Sequence, residues 1–500
     1  MFFKKALLAA TVLAAFSTAS FACTTIIAGE EATADGSFLI ARAADSNALK
    51  AQHMVVHPAK KGQSGMYRTA DHKGANHFEY PLPAESLRYT TVPNWQTQVH
   101  GAVGFNEAGV GFSGTESIFA KPEALAADPY VKDTGITEDD IPEVILSRAK
   151  SAREAVLKLG EIVETVGAGE GFGVVLVDEK ELWYFETGTG HQWLAQRTPK
   201  DQYFASGNQG RLQKYDPKSP DFLASKTLVS FAAEHGLYSP KADGEFNFSK
   251  AYTRDDFRDR VYNDPRVWQI QKILTPSLKQ DVQEGRSFPV YAKPEKKITV
   301  DDMKGILRNH YQEGDLASHD PYTNGLRGDE PFRPISVFRT YESHVMQVRP
   351  NLPPEIGNLI YLAMGMADLS VYVPFYHGLD AYPAHYAKGT DKADSESLYW
   401  KYRKLQTLVM TDYGKLAPIV KKAYADWEAQ TAKDQQAFEA EYLKTYKADG
   451  EKAHRMLQDF NNQVMASAEK LTENLSNQMF TIRTADIQKG IFFANNKKKD

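Results

Sequence analysis

The sequence predicts a mixed α+β protein, and three stretches carry that reading. A β-branched run, Cys23-Thr24-Thr25-Ile26-Ile27-Ala28, is followed across a turn region by a second apolar run, Ser37–Ala43. Strand-like runs return between Val174 and Gln196, directly after two helical patterns. From about Asp391 onward apolar residues recur at three-to-four spacing, the period of helices. The composition is that of a globular chain: 500 residues, 42% hydrophobic and 25% charged. Collagen-like, low-complexity and wholly disordered chains are excluded by it. A net charge of −5 and a mean hydropathy of −0.47 offer no basic surplus for nucleic acid and suit a soluble protein.

At the start of the chain, Lys4 and Lys5 precede an apolar stretch from Ala6 to Phe16, and Ser20-Phe21-Ala22 satisfies the small-x-small rule of signal peptidase. The stretch is shorter than the roughly 20 residues a stable membrane span needs. Residues 1–22 are therefore expected to be a signal peptide, against the rival of a permanent N-terminal anchor. The mature protein is expected to be periplasmic or secreted, with signal peptidase as its maturation partner and no stable membrane insertion. Ile356–Phe375, interrupted by Gly357, Asn358, Gly365 and Asp368, reads as two core segments. Cleavage removes two lysines and no acid, so the net charge of −5 becomes −7.

Cleavage after Ala22 also makes Cys23, the only cysteine of the chain, the first mature residue. One cysteine excludes an intrachain disulfide and multi-cysteine zinc or iron–sulfur sites. A lipoprotein would also begin with Cys, which would make the chain a lipid-anchored envelope binding protein. Its recognition sequence, however, wants an aliphatic residue where Ser20 stands and a small one where Phe21 stands. A buried, inert thiol is the other plain reading. The chemical reading is different. An N-terminal Cys carries a nucleophilic thiol and an α-amine of pKa about 7.7–8.0, so one residue supplies nucleophile and base for amide hydrolysis. The 13 histidines add little to a competing scheme. Ser343 and His344 would point to opposite faces of a strand, and neither G-x-S-x-G nor H-E-x-x-H occurs.

If Gly29–Gly36 forms the turn, Ile27 pairs with Phe38 and Cys23 falls opposite Arg42, with Asp45 just beyond. Arg42 would then lower the thiol pKa and Asp45 would hold the α-amine; a surface ion pair is the alternative. Farther along, Pro142–Lys150 and Ala152–Thr165 read as helices. Gly167–Gly173 fails G-x-G-x-x-G at Val174 and precedes a strand, so it is no phosphate loop. Val174–Val177, Leu182–Glu186 and Gln192–Gln196 read as strands. The C-terminal helical pattern is broken at Gly414, Pro418 and Asp449-Gly450, which excludes one long coil. Those amphipathic helices are expected to pack on the core, and Lys497-Lys498-Lys499 to be a frayed tail.

The ordered set Cys23-Thr24-Thr25-Ile26, Asp35-Gly36-Ser37, Ala41-Arg42 and Asp45-Ser46 resembles the opening of dipeptidase A-type cysteine peptidases. That group includes the secernins and is related to choloylglycine hydrolases and penicillin V acylases. Val103-Gly104-Phe105-Asn106-Glu107-Ala108-Gly109-Val110 resembles its G-x-N-E-x-G segment. Ala205-Ser206-Gly207-Asn208-Gln209 resembles its A-N-Q segment, with Gly207 directly before the Asn. Matching segments continue through Arg333-Pro334-Ile335-Ser336 and Glu342-Ser343-His344. The resemblance implies a four-layer αββα N-terminal-nucleophile hydrolase sandwich over 23–390, with a helical elaboration over 391–500. It implies hydrolysis of short peptides through an acyl-enzyme at Cys23, without metal or cofactor. Arg42 and Asp45 would orient the thiol and amine, and Asn106 and Asn208 would donate to the oxyanion or hold substrate. Both asparagines also suit turns. Arg339 is a weaker candidate for a substrate carboxylate. An acylase of the same fold, cleaving a bile-salt, penicillin V or acyl-homoserine lactone amide, is the alternative. Dipeptide preference, oligomeric state (a homo-oligomer stays open) and the role of the C-terminal helices are not set by these residues.

Overall fold

The computed structural model describes residues 23–69, 76–93, 101–325 and 332–490. The expected signal peptide and the terminal lysines lie outside them. Thirteen strands build the two principal sheets. In chain order they are β1 (Thr24–Ala28), β2 (Phe38–Asp45), β3 (Val103–Phe105), β4 (Gly111–Ser117), β5 (Phe172–Val177), β6 (Leu182–Thr187) and β7 (Trp193–Arg197). There follow β8 (Tyr203–Ser206), β9 (Phe222–Ala224), β10 (Tyr291–Ala292), β11 (Thr340–Val348), β12 (Asn358–Met364) and β13 (Val373–Tyr376). One sheet runs β10-β8-β1-β2-β11-β12-β13 and the other β9-β7-β6-β5-β4-β3.

Alternation along the strands explains why four layers form. On β1 and β2, Ile27, Phe38, Ile40 and Ala44 join Val175, Val177, Tyr184 and Met346 in the core between the sheets. Their neighbours Ile26, Ala28, Leu39, Ala41 and Ala43 face outward. That outer face is covered by helices α4 (Asp264–Leu274) and α5 (Val300–Leu307), through Val267, Ile270, Met303 and Ile306. On the other sheet, Val174, Leu176, Trp183 and Phe185 are covered by α1 (Ile141–Leu146) and α2 (Ala152–Thr165). With two apolar faces each, both sheets need helices outside and each other inside. Ser151 caps α2 by accepting the Glu154 N–H, and Gly160 lets that helix close on Trp193, whose ring a Cβ would meet at 2.1 Å.

The first hairpin forms as expected, with a different register. Ile27 pairs with Ile40 and Thr25 with Arg42, so the chain has slipped by two residues from the expected pairing of Ile27 with Phe38. The connection is wider because Thr33 is tied to Ile298 as a β-bridge and Thr33 Oγ1 donates to Ser37 O at 2.7 Å. Since side chains alternate with period two, a slip of two keeps every residue on its face. Arg42 therefore stays on the face of Cys23, as a diagonal neighbour.

The C-terminal helices are α6 (Leu398–Met410), α7 (Tyr413–Ala448) and α8 (Gly450–Gln488), with α3 (Phe257–Tyr262) preceding α4. The expected breaks at Gly414 and Pro418 do not occur: the chain breaks at Thr411-Asp412 instead, α7 then runs 36 residues through Gly414 and Pro418, and the expected interruption at Asp449-Gly450 is present. Pro418, one turn past the helix start, forfeits the ladder bond its N–H would have given Gly414. Tyr399, Tyr402, Leu405, Val420 and Met465 share the inter-sheet cluster with Met364, Val373 and Phe375. The helices are thus an extension of the core. No helix among the described residues is long and apolar enough to cross a membrane.

Candidate active site

Cys23 stands at the head of β1 and is 3% exposed. Arg42, on the same face of the neighbouring strand, donates from Nη2 to Cys23 Sγ at 2.9 Å. Its Nη1 faces Glu342 Oε1 at 3.8 Å. Asp45 closes the far end of β2, where Arg333 Nη2 and Thr340 Oγ1 each donate to its carboxylate. Arg42 and Asp45 are both 1% exposed, and each pairs with a different residue. The surface ion pair is thereby excluded.

Arg266, on α4, joins the parts. Its Nη1 donates to the Cys23 carbonyl and, at 2.8 Å, to Thr24 Oγ1. Its Nη2 donates to Asn208 Oδ1 at 3.0 Å and Asn263 Oδ1 at 2.6 Å, and Nε to Tyr262 O at 2.8 Å. Asn263 clamps the backbone of Asn208, accepting from its N–H at 3.0 Å and donating to its carbonyl at 3.1 Å. The glycine that departs from the expected A-N-Q pattern has a local reason: a Cβ on Gly207 would lie 2.8 Å from Arg266 Nη2. The small residue lets the guanidinium lie against the chain just before Asn208.

Three buried guanidinium groups, Arg42, Arg266 and Arg333, thus gather around Cys23 and Thr24. Burial, reinforced by the charge of Arg333, pushes Arg266 down to about 9. Burial first, then the proximity of Cys23, raises the Tyr341 hydroxyl well above its ordinary range. A cysteine in such a positive setting is biased toward thiolate. Arg403 of α6 braces the same corner from behind, donating to the carbonyls of Phe338 and Thr340.

The structure brings Cys23, Arg42, Asp45 and Asn208 together. Asn106 is different. Its Nδ2 donates to the carbonyls of Leu146 at 2.9 Å and Ala149 at 2.7 Å, and its Oδ1 accepts from the N–H groups of Ala108 and Val110. Both amide hydrogens are used, so Asn106 has none for an oxyanion; it ties the β3–β4 turn to the end of α1. Arg339 donates to the Tyr262 hydroxyl at 2.7 Å, while Arg333, six residues earlier, holds Asp45. Sequence reasoning missed Arg266, Asn263 and Arg333, and also a buried array of Ser113, His344 and Glu342 behind Arg42. For Arg333, Glu342 and His344 a signal existed, since they lie in segments already matched.

Comparison with known proteins extends this picture. The pattern of Peptidase family C69 matches residues 22–426. A "Probable dipeptidase" of Salmonella dublin is 53% identical over 374 residues, 74% of this chain and 83% of that protein. A "Probable dipeptidase A" of Streptococcus pyogenes serotype M3 (strain SSI-1) is 36% identical over 404 residues, 78% and 84% of the two chains. A "Dipeptidase" of Bifidobacterium longum (strain NCC 2705) is 32% identical over 422 residues, covering 77% of each. Among solved structures, penicillin V acylase from Agrobacterium tumefaciens overlaps 35% of this chain and 49% of its own, at 16% identity and a TM-score of 0.23. The layered architecture stands on the sheets and helices described above. The chain belongs to Peptidase family C69 and is a hydrolase of peptide bonds.

Proposed function

We propose that the protein is an exported cysteine dipeptidase whose nucleophile is Cys23, exposed as the N-terminus by signal peptidase at Ala22. The observation that carries the reading is the Arg42 Nη2 donor on Cys23 Sγ at 2.9 Å, on the one residue that cleavage would also furnish with an α-amine. The names of the relatives support the substrate class. The N-terminal leader pattern supports a periplasmic or secreted location.

In this mechanism the α-amine takes the thiol proton and the thiolate attacks the peptide carbonyl. Asn208, whose Oδ1 is held by Arg266, presents its amide N–H to the oxyanion; such a donor is worth about 2.7–4 kcal/mol of barrier in other hydrolases. The α-ammonium returns its proton to the departing amine, leaving an acyl-thioester at Cys23. Water, activated by the same amine, then releases the acid and restores the thiol. Asp45, fixed by Arg333 and Thr340, orients the amine.

The test is to purify the exported form, confirm Cys23 at its N-terminus by intact mass, and compare wild type with Cys23→Ser on dipeptides and on acyl amides. Dipeptide turnover lost in the variant is the expected outcome. Undiminished hydrolysis would sink the nucleophile, preference for acyl amides would make the enzyme an acylase, and a diacylglycerol increment would make Cys23 an anchor.

A further inference from the structure

Behind Arg42 lies a row of polar side chains that the proposed hydrolysis does not use. Ser113 Oγ lies 2.8 Å from His344 Nε2, and His344 Nδ1 lies 2.9 Å from Glu342 Oε2. The other Glu342 oxygen faces Arg42 Nη1 at 3.8 Å, and Arg42 Nη2 reaches the Cys23 sulfur. Ser113 and Arg42 are 1% exposed, Glu342 and His344 0%. The fold sets this row: His344 pairs directly with Arg42, and a bulge between Thr340 and Glu342 puts Glu342 opposite Ala44, on the same face. Ser113 enters from β4 of the opposing sheet.

Ser, His and Glu in this order are the components of a nucleophilic triad, yet this serine is sealed between two sheets. What the array does is hold a charge still. A carboxylate only accepts, so His344 Nδ1 carries the hydrogen toward Glu342, and Nε2 meets the Ser113 hydroxyl. Held at both nitrogens, the ring fixes one Glu342 oxygen and leaves the other toward Arg42. Removing a buried carboxylate from a buried guanidinium is strongly unfavourable, so Arg42 is anchored at its Nη1 end while Nη2 stays on sulfur. The negative charge of Glu342 itself opposes a thiolate. It stands on the far side of the guanidinium, however, whereas Arg42 contacts the sulfur, and the nearer charge dominates.

We infer that Ser113, His344 and Glu342 are positioning residues, a buried row that holds Arg42 against the Cys23 sulfur and so keeps the thiol reactive. The inference rests on Cys23 as the nucleophile. Its test exploits the single cysteine of the chain: iodoacetamide alkylation against pH reads the thiolate of Cys23 alone, whatever the substrate. Glu342→Gln keeps the shape, and a switched imidazole tautomer keeps both hydrogen bonds, so what is lost is the charge that anchors Arg42 Nη1, and Arg42 is released from the sulfur. Expected are a fall in dipeptide kcat of about 10- to 100-fold, a KM within about twofold, and an alkylation midpoint about one pH unit higher. Ser113→Ala should shift kcat and midpoint in the same directions by less. A folded Glu342→Gln enzyme with wild-type kcat and midpoint overturns the inference, as does a lowered midpoint with intact kcat. Should Glu342→Gln fail to fold, Ser113→Ala beside Ser113→Thr decides. Loss in Ala with recovery in Thr, which keeps the hydroxyl, supports the row; wild-type behaviour in Ala refutes it. Undiminished hydrolysis by Cys23→Ser would remove the nucleophile assignment separately, while the alkylation midpoints would still report the hold on Arg42.

Discussion

Replacing Arg266 by lysine keeps the positive charge and removes the planar fork. All five N–H groups of Arg266 meet acceptors: Tyr262 O, Cys23 O, Thr24 Oγ1, Asn208 Oδ1 and Asn263 Oδ1. A lysine has three donors on one atom, so at least two buried acceptors lose theirs. At about 1–3 kcal/mol for each, Arg266→Lys should lower unfolding stability by about 2–6 kcal/mol. Asn208 would lose its fixed amide orientation as well, and a displaced catalytic group costs on the order of 100-fold in rate. Urea unfolding measures the first effect, and kcat and KM for a dipeptide on the folded variant measure the second. A variant less than about 1 kcal/mol destabilised, with wild-type kcat, would refute Arg266 as the residue that joins Cys23 to Asn208.

Other outcomes follow from the same contacts. Asn106→Ala removes two donated and two accepted bonds and should cost about 2–4 kcal/mol of stability; a kcat per folded molecule lowered by about 100-fold would restore Asn106 to the oxyanion. Gly207→Ala would place a Cβ 3.1 Å from both Arg266 Cζ and Asn263 Oδ1, and should lower kcat by about tenfold with little change in KM. Steady-state kinetics indistinguishable from wild type would show that Arg266 moves freely. His377 is pushed down to about 3, chiefly by burial and then by Arg88. The unfolded chain therefore binds the proton first, and stability is lost as pH falls from 6.5 toward 3. Against His377→Gln, the wild-type stability should fall by about 1.4 kcal/mol for each pH unit between about 6 and 4, seen in urea titrations; parallel pH profiles would contradict a neutral buried ring.

The elements were legible where their signals are local. The β-branched start of β1, the apolar stripe of α2 and the strands at Phe172–Val177 and Leu182–Thr187 carry their own periods. Arg42 could be placed beside Cys23 even with the hairpin register two residues out, because alternation hides an even slip. The bonds of Thr33 to Ser37 and Ile298, which widen the turn, involve a residue 265 positions away and leave no mark in the pattern. Arg266 and Asn263 were invisible for the same reason: Arg266 lies 242 positions from Thr24, the residue it holds on β1. Glu342 stood in a segment already matched, but only the pairing of β11 with β2 sets it beside Arg42. Asn106 shows the converse. Its neighbourhood matched a catalytic segment, while two bonds within the turn and two to the far end of α1 make it a brace. In α7, Gly414 and Pro418 are helix breakers by propensity; Gly414 falls in the first turn, and packing of Leu416 and Val420 in the core carries the helix through Pro418.

In the proposed mechanism Cys23 must be the first residue, since its α-amine is to act as the base. The most direct measurement is kcat/KM on one dipeptide for the processed chain and for a precursor kept uncut by a bulky residue at Ala22, each verified by intact mass. The processed chain should be active and the precursor at least about 100-fold less so, the worth of a general base. A precursor as active as the processed enzyme would show that the amine of Cys23 takes no part.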